Sequence, residues 1–170
     1  MTTVKLIRDN YQHIIPQEKW YIAPLSQLPE LLANKLIEEC QEMLAATTKQ
    51  QQIAEAGDVL EVLVALQNYV KNNQNHPSWQ DYHPTTGANL LQTAKKMHQQ
   101  IIAHQLTAQA WQQFNCQLQS YCRTHQLPWQ SINEQKTLKR QRYGGFQQRI
   151  VLHRDRKSTR LNSSHLELSR

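Results

Sequence analysis

The chain has 170 residues, of which 39% are hydrophobic, and it carries a formal net charge of +6 at pH 7. This length suits one domain, and four glycines with six prolines argue against a turn-rich β-fold. No apolar run reaches the length of a membrane span, and no secretory leader opens the chain, so we expect a cytoplasmic protein without membrane association. Cys40, Cys116 and Cys122 form no CxxC pair, and we expect small buried side chains.

The end of the chain differs in character from the rest. Residues 155–165, DRKSTRLNSSH, look like the in-frame translation of a common sequencing adapter, and residues 166–170 would follow from the same read-through. This tail, 155–170, carries four Lys or Arg residues and two acids, so without it the net charge falls from +6 to +4. We therefore predict one domain over residues 1–154 and exclude the tail from functional reasoning. The native C-terminus stays open between a missing segment and an end near Arg154.

Hydrophobic periodicity predicts an all-α helical bundle with short extended segments at both ends. The predicted helices cover about 28–46, 51–71, 88–105, 107–125 and 131–142. The extended segments cover 4–8, 20–24 and 146–152. Hydroxyl side chains at three helix starts are the expected N-caps: Ser26, Thr107 and Ser131.

The second predicted helix is apolar almost all round over residues 59–66, where only Glu61 interrupts the run. A helix of this kind is buried in a bundle, and the width of its apolar surface leads us to expect a homodimer or a higher homo-oligomer. Gly57 costs such a helix on the order of 1 kcal/mol. We therefore expect a packing or access role for Gly57, such as room for a ligand beside Asp58.

The segment 72–125 is predicted to be a polar loop, with Pro77 and Pro84, followed by a helical hairpin. Its helices have a 3.6-residue apolar period but no group of acids. We interpret the hairpin as a packing or oligomerisation element without chemistry of its own.

Two sets of acids are the most informative feature: Glu38, Glu39 and Glu42 form EExxE, and Glu55 and Asp58 form ExxD. Residues three or four apart share a helix face, so two antiparallel helices could bring both sets to one point. Converging carboxylates repel unless a cation lies between them, and oxygen-only ligands suit Mg²⁺ or Mn²⁺. Glutamate clusters are more often a solvated helix face, but the apolar flanks here favour a metal-dependent enzyme acting on phosphates.

A basic segment near the end of the domain leads into a glycine pair, Gly144 and Gly145, followed by Phe146. Lysine and arginine donate to phosphate oxygens, and paired glycines allow close backbone approach to a ligand. The alternatives are a basic helix end favoured by the helix dipole and nucleic-acid contact, which we disfavour because no aromatic side chains interleave the basic ones. The basic residues are Lys136, Lys139, Arg140 and Arg142.

Three blocks of sequence together resemble one family, the MazG-like and phosphoribosyl-ATP pyrophosphohydrolase-like superfamily. KLIRD, residues 5–9, resembles its KLVRD opening; LIEECQEML and AEAGDVLEVL resemble its metal-binding signature; and YGGFQQRIVL resembles its RGGF-x-x-RI-x-L ending. The chain departs from the pattern at Asn10 and Tyr11, where Lys-Ile is usual, and at Tyr143, where Arg is frequent. The segment 72–125 is an insertion relative to compact members.

The resemblance implies an oligomeric all-α enzyme that hydrolyses a nucleotide between its α and β phosphates, giving a monophosphate and pyrophosphate. The implied Mg²⁺ ligands are Glu39, Glu42, Glu55 and Asp58. Glu38 and Glu39 would be catalytic, Glu38 as an outer ligand or by orienting water. The implied substrate contacts are Lys5, Arg8, Lys139, Arg140, Arg142, Gly144, Gly145 and Phe146.

The substrate stays open between phosphoribosyl-ATP and nucleoside triphosphates. The competing interpretation is a non-catalytic helical module that binds a nucleotide or a partner.

Overall fold

The computed structural model describes residues 4–70 and 85–153. In these two ranges five α-helices form the bulk of the fold: α1 Leu28–Ala45, α2 Lys49–Leu66, α3 Gly87–Ile102, α4 Ala108–Thr124 and α5 Trp129–Tyr143. Three short strands accompany them: β1 Val4–Leu6, β2 Trp20–Ile22 and β3 Ile150–His153. The predicted all-α fold with short extended segments is confirmed. Most of the predicted polar loop, Arg154 and the adapter-like tail lie outside the described residues.

Of the three predicted N-caps, one is confirmed and two are wrong. Thr107 is confirmed as an N-cap, because its side chain accepts a hydrogen bond from the Ala110 amide at 3.1 Å. The prediction of Ser26 as an N-cap is wrong, because Ser26 lies in a 3₁₀ turn and α1 begins at Leu28 without a side-chain cap. Pro29 in the first turn of α1 pre-sets a helical φ angle and leaves no backbone donor to be capped there.

The last helix and the second helix both begin earlier than predicted. Ser131 is not a cap, because α5 begins at Trp129 directly after Pro128. At the start of α2, the Thr48 hydroxyl accepts from the Gln51 amide at 3.2 Å, and the Gln51 side chain accepts from the Thr48 amide at 3.3 Å. This reciprocal capping box is a recognisable T-x-x-Q signal that the prediction overlooked.

The small sheet joins the two ends of the domain. Strands β1 and β2 both pair antiparallel with β3, in the order β1-β3-β2, so that Leu6 and Tyr21 both lie opposite Val151. The sequence predicted extended segments but not this pairing. As a result, the KLIRD block and the glycine-containing turn before β3 become neighbours in space.

The core surrounds α2, whose residues 59–66 are covered within the chain itself. Val59, Val62 and Leu63 have no exposed surface, and α1, α4 and α5 all pack against the helix. Trp111 from α4 donates its indole N–H to the Leu63 carbonyl at 2.8 Å, close to the helix end where carbonyls lack intrahelical partners. This stretch therefore no longer argues for an oligomer, which stays a prediction.

The α3–α4 hairpin completes this core. Helix α3 packs along α1, and α4 packs against α3 and also reaches α2 and α5. The hairpin contributes large buried side chains to the main core: Leu90, Met97, Phe114 and Leu118. A packing role for the hairpin therefore agrees with its position in the bundle.

Two predictions from composition can be compared with the fold. Cys40 and Cys122 are buried as expected, and burial raises the pKa of the Cys122 thiol to about 12. Cys116 is exposed, so its predicted burial is wrong.

Along residues 4–70 and 85–153, no helix combines the length and apolar character needed to cross a membrane, and a cytoplasmic location stays a prediction.

Gly57 allows α2 and α5 to approach each other closely. A Cβ atom at this position would lie 3.2 Å from the Lys136 amide nitrogen and 3.3 Å from the Ile132 carbonyl oxygen, both backbone atoms of α5. The prediction of room for a ligand beside Asp58 is therefore wrong at Gly57, because the backbone of α5 fills that space.

We expect Gly57→Ala to lower the free energy of unfolding by about 1 kcal/mol, because overpacking against a backbone outweighs the gain in helix propensity. Gly144→Ala should also destabilise, since Gly144 has a φ of +77° and its Cβ would lie 3.0 Å from that of Asp9. Gly145→Ala is the matched control, with its nearest neighbour at 3.8 Å. Urea unfolding midpoints measure all three, and a Gly57→Ala protein as stable as Gly145→Ala would contradict this account.

Candidate metal centre and adjoining cleft

The α1–α2 hairpin brings three carboxylates together. Glu39 and Glu42 project from α1 and Glu55 from α2, and one oxygen from each lies within 4.8 Å of the other two. Glu39 and Glu42 are three residues apart and therefore share a helix face. Only three residues, 46–48, link the two helices, so the antiparallel arrangement places Glu55 opposite this face.

These three carboxylates, which we call the acid cluster, fit a hard divalent cation. In each of them the Oε2 atom is buried without a hydrogen-bond partner, although Glu39 is only 1% exposed and Glu55 only 7%. Burying a carboxylate without a partner is costly. Adjacent ligand oxygens of an octahedral Mg²⁺ site are about 3 Å apart, so the three carboxylates would close around a bound ion. Carboxylate oxygens are the ligands that Mg²⁺ and Mn²⁺ prefer.

The electrostatics of the acid cluster reflect this crowding. Burial raises the pKa of Glu42 to about 7, and the charge of Glu39 adds to the effect. Burial also raises the pKa of Glu55 to about 7; Lys139 opposes this increase and Asp58 contributes to it. Without a cation, Glu42 and Glu55 therefore retain protons close to neutral pH.

Asp58, the fourth predicted metal ligand, lies outside the acid cluster. Its Oδ1 atom accepts from Arg8 Nη2 at 2.6 Å, and its Oδ2 atom accepts from Lys139 Nζ at 2.5 Å. Lys139 also donates to the Ala54 carbonyl at 3.1 Å. Asp58 thus has a cation on each oxygen and connects α2 to Arg8, which follows β1, and to α5.

Lysines from two different elements neutralise Glu38 and Glu39, the first two acids of EExxE. Lys35 is itself buried on α1, and its Nζ atom lies 2.5 Å from Glu39 Oε1. Burial alone would lower the pKa of Lys35, but the charges of Glu39 and Glu38 raise it well above its usual value. Lys5 in β1 forms an ion pair with Glu38. Lys35 was not a sequence candidate, although its place one turn before Glu39 on the same helix face is a visible signal.

Glu61 was also missed as part of this charge network. It is buried, and it accepts from Arg140 Nη1 at 2.8 Å. Its position one turn after Asp58 on α2 was the available signal.

Arg142, another predicted substrate contact, lies against the neighbouring ring instead of the acids: its guanidinium carbon is 5.1 Å from the Tyr143 ring centre.

Arg8 is held in place by the turn that follows α5. Its Nη1 atom donates to the Gly144 carbonyl at 3.0 Å, and its guanidinium lies 5.5 Å from the Phe146 ring centre. Asp9 fixes the same turn: its carboxylate accepts from the amides of Gln147 and Gln148 at 3.0 and 2.8 Å. The first and last sequence blocks therefore contact each other and position Arg8 on Asp58.

A cleft of about 770 Å³ opens beside the acid cluster, within the size range of small-molecule sites. Glu42, Glu55 and Asp58 line one side, and the cations Arg8 and Lys139 lie next to them. Polar side chains from the α1–α2 turn, from the start of α2 and from α5 also line the cleft: Thr47, Gln50, Gln51, Ser131, Glu134 and Gln135.

The remaining predicted substrate contacts, Lys5, Arg140, Arg142, Gly144, Gly145 and Phe146, are not among the residues that line the cleft.

Two tyrosines at the positions that depart from the family pattern also line the cleft. The rings of Tyr11 and Tyr143 stack with centres 5.1 Å apart and planes within 9°. The third departing residue, Asn10, donates to the Arg142 carbonyl at 3.1 Å. The two departing tyrosines thus contact each other across the two ends of the domain, and Asn10 contacts the residue before Tyr143.

Comparison with protein-family models, curated proteins and solved structures yields no match to this chain. The resemblance to the MazG-like superfamily therefore stays a prediction carried by the three sequence blocks.

We expect Mg²⁺ to raise the melting temperature more at about pH 8 than at about pH 5.5. The folded pKa values of Glu42 and Glu55 are raised from 4.5 to about 7, so the metal-free protein loses stability as pH rises through this interval. A bound cation offsets that loss. Thermal unfolding in Mg²⁺ and in EDTA measures the effect.

The control for this prediction is the double variant Glu42→Gln/Glu55→Gln, in which the pH dependence of the Mg²⁺ effect should be nearly lost. An equal Mg²⁺ effect at both pH values in the unaltered protein would contradict the prediction.

Proposed function

We propose that the protein is a Mg²⁺-dependent nucleotide pyrophosphohydrolase that cleaves between the α and β phosphates of a nucleoside triphosphate or of phosphoribosyl-ATP. The observation that carries this proposal is the acid cluster, with its three unpartnered buried oxygens, beside a cleft that also contains two cations. The sequence blocks resembling the MazG-like superfamily support the choice of reaction.

Glu39, Glu42 and Glu55 would hold Mg²⁺, or Mn²⁺ in its place. When bound, the ion would polarise phosphoryl oxygens and offset the charge of the departing pyrophosphate. The three carboxylates lie on two helices that pack through the centre of the core, so their positions are supported by rigid elements.

Arg8 and Lys139 would bind the phosphate chain. Both line the cleft while also contacting Asp58, and donors of this kind stabilise charge on phosphoryl oxygens. The Gly144 carbonyl and the Phe146 ring orient Arg8 before any substrate arrives. In this account Asp58 serves mainly to position the two cations.

Glu38 would orient the attacking water, and Glu39 would assist. Glu38 precedes Glu39 on α1, and its side chain is 28% exposed. The ion pair with Lys5 holds the carboxylate in position. A carboxylate at hydrogen-bond distance from water acts as a general base, which is the role proposed for Glu38.

The competing candidate is a module that binds a nucleotide or a partner without turnover. The observation that favours it is the full pairing of Asp58, whose two oxygens already contact Arg8 and Lys139. Such a module would bind nucleotide in the presence of Mg²⁺ and release no pyrophosphate.

The reaction is tested by incubating the protein with Mg²⁺ and a panel of nucleoside triphosphates plus phosphoribosyl-ATP, and separating the products by anion exchange. We expect pyrophosphate and a monophosphate, and a loss of at least about 100-fold in rate for Glu42→Gln. Glu30→Gln is the matched control, because Glu30 is an exposed acid on the same helix and its loss should leave the rate unchanged.

Nucleotide binding without pyrophosphate release would favour the binding module. Equal rates for Glu42→Gln and Glu30→Gln would contradict the proposed site.

A further inference from the structure

We propose that the acid cluster holds one divalent cation, and that the ammonium group of Lys35 takes the place of a second. This inference rests on the proposed function, since it concerns the number of ions in the same site. The first argument is the number of oxygens that lack a partner in the acid cluster, and the second is the position of Lys35.

The free oxygens of the acid cluster form one ligand set. The Oε2 atoms of Glu39, Glu42 and Glu55 are buried without partners and belong to carboxylates that converge within 4.8 Å. Three oxygens on one face, completed by water, are enough for one ion with octahedral coordination.

Asp58 and the second oxygen of Glu39, which a second ion beside the acid cluster would recruit, already have partners. Asp58 contacts Arg8 through one oxygen and Lys139 through the other. The second oxygen of Glu39 accepts from Lys35 at 2.5 Å. Recruiting either residue to a second ion would require these buried contacts to break.

Lys35 lies directly beside the acid cluster, because its ammonium group contacts the Oε1 atom of Glu39. Its side chain is 5% exposed, and the charges of Glu39, Glu38 and Asp58 all act on its ammonium group. A second cation that used the Oε1 atom of Glu39 would have to take the place of this ammonium group. The ammonium group neutralises the acids there and repels a divalent ion from the same position.

The test is a titration of the full chain with Mn²⁺, followed by calorimetry and by electron paramagnetic resonance. We expect one bound ion per chain and a spectrum without coupling between two Mn²⁺ ions. Two bound ions would overturn this inference and leave the proposed reaction intact. No saturable binding would overturn both.

The role of Lys35 is tested with Lys35→Ala, which removes the ammonium group and opens space. We expect a second, weaker Mn²⁺ to bind, so that the stoichiometry rises from one to two. Lys96→Ala is the matched control, since Lys96 is exposed on α3 and its loss should leave one ion bound. An Lys35→Ala protein that is folded by circular dichroism and binds one ion with unchanged affinity would overturn the role of Lys35.

If Lys35→Ala fails to fold, Lys35→Met retains the apolar stem and is measured in the same way. The stoichiometry of the unaltered protein tests the inference without any variant.

Discussion

The buried acids of α1 and α2 must be neutralised, and the arrangement of the rest of the chain follows from this requirement. Burying a carboxylate in a helical core is unfavourable unless a cation or hydrogen-bond donors accompany it. Lys5 in the first strand, Arg8 just after it, and Lys139 and Arg140 in the last helix supply most of the charge. The two ends of the domain therefore meet over the central hairpin, and the small sheet fixes them there.

The same network separates two kinds of acid. Asp58 has a positively charged partner at each oxygen, and it supports the positions of the cations beside the cleft. The acid cluster retains buried oxygens without partners, and it is the part of the network that a metal ion would complete. The proposed phosphate site would use this division, because bound metal and fixed cations would contact the same anionic chain from two sides.

Sequence patterns predicted the helices and the convergence of Glu39, Glu42 and Glu55, because both depend on local spacing along a helix. They did not predict the partner of Asp58, since contact with Arg8 depends on strand pairing between residues far apart in the chain. Gly57 was misinterpreted for a similar reason: the backbone that occupies the space beside it belongs to α5. The ion pair between Lys35 and Glu39 was overlooked although its signal is local, because the two residues are four apart on α1.

The central claim is that the acid cluster binds a divalent cation, and anomalous diffraction from crystals soaked in Mn²⁺ tests it most directly. The account predicts an anomalous peak within bonding distance of Glu39, Glu42 and Glu55, with Lys35 still in contact with Glu39. A well-ordered acid cluster without an anomalous peak, in crystals soaked at the Mn²⁺ concentration of the activity assay, would contradict the central claim.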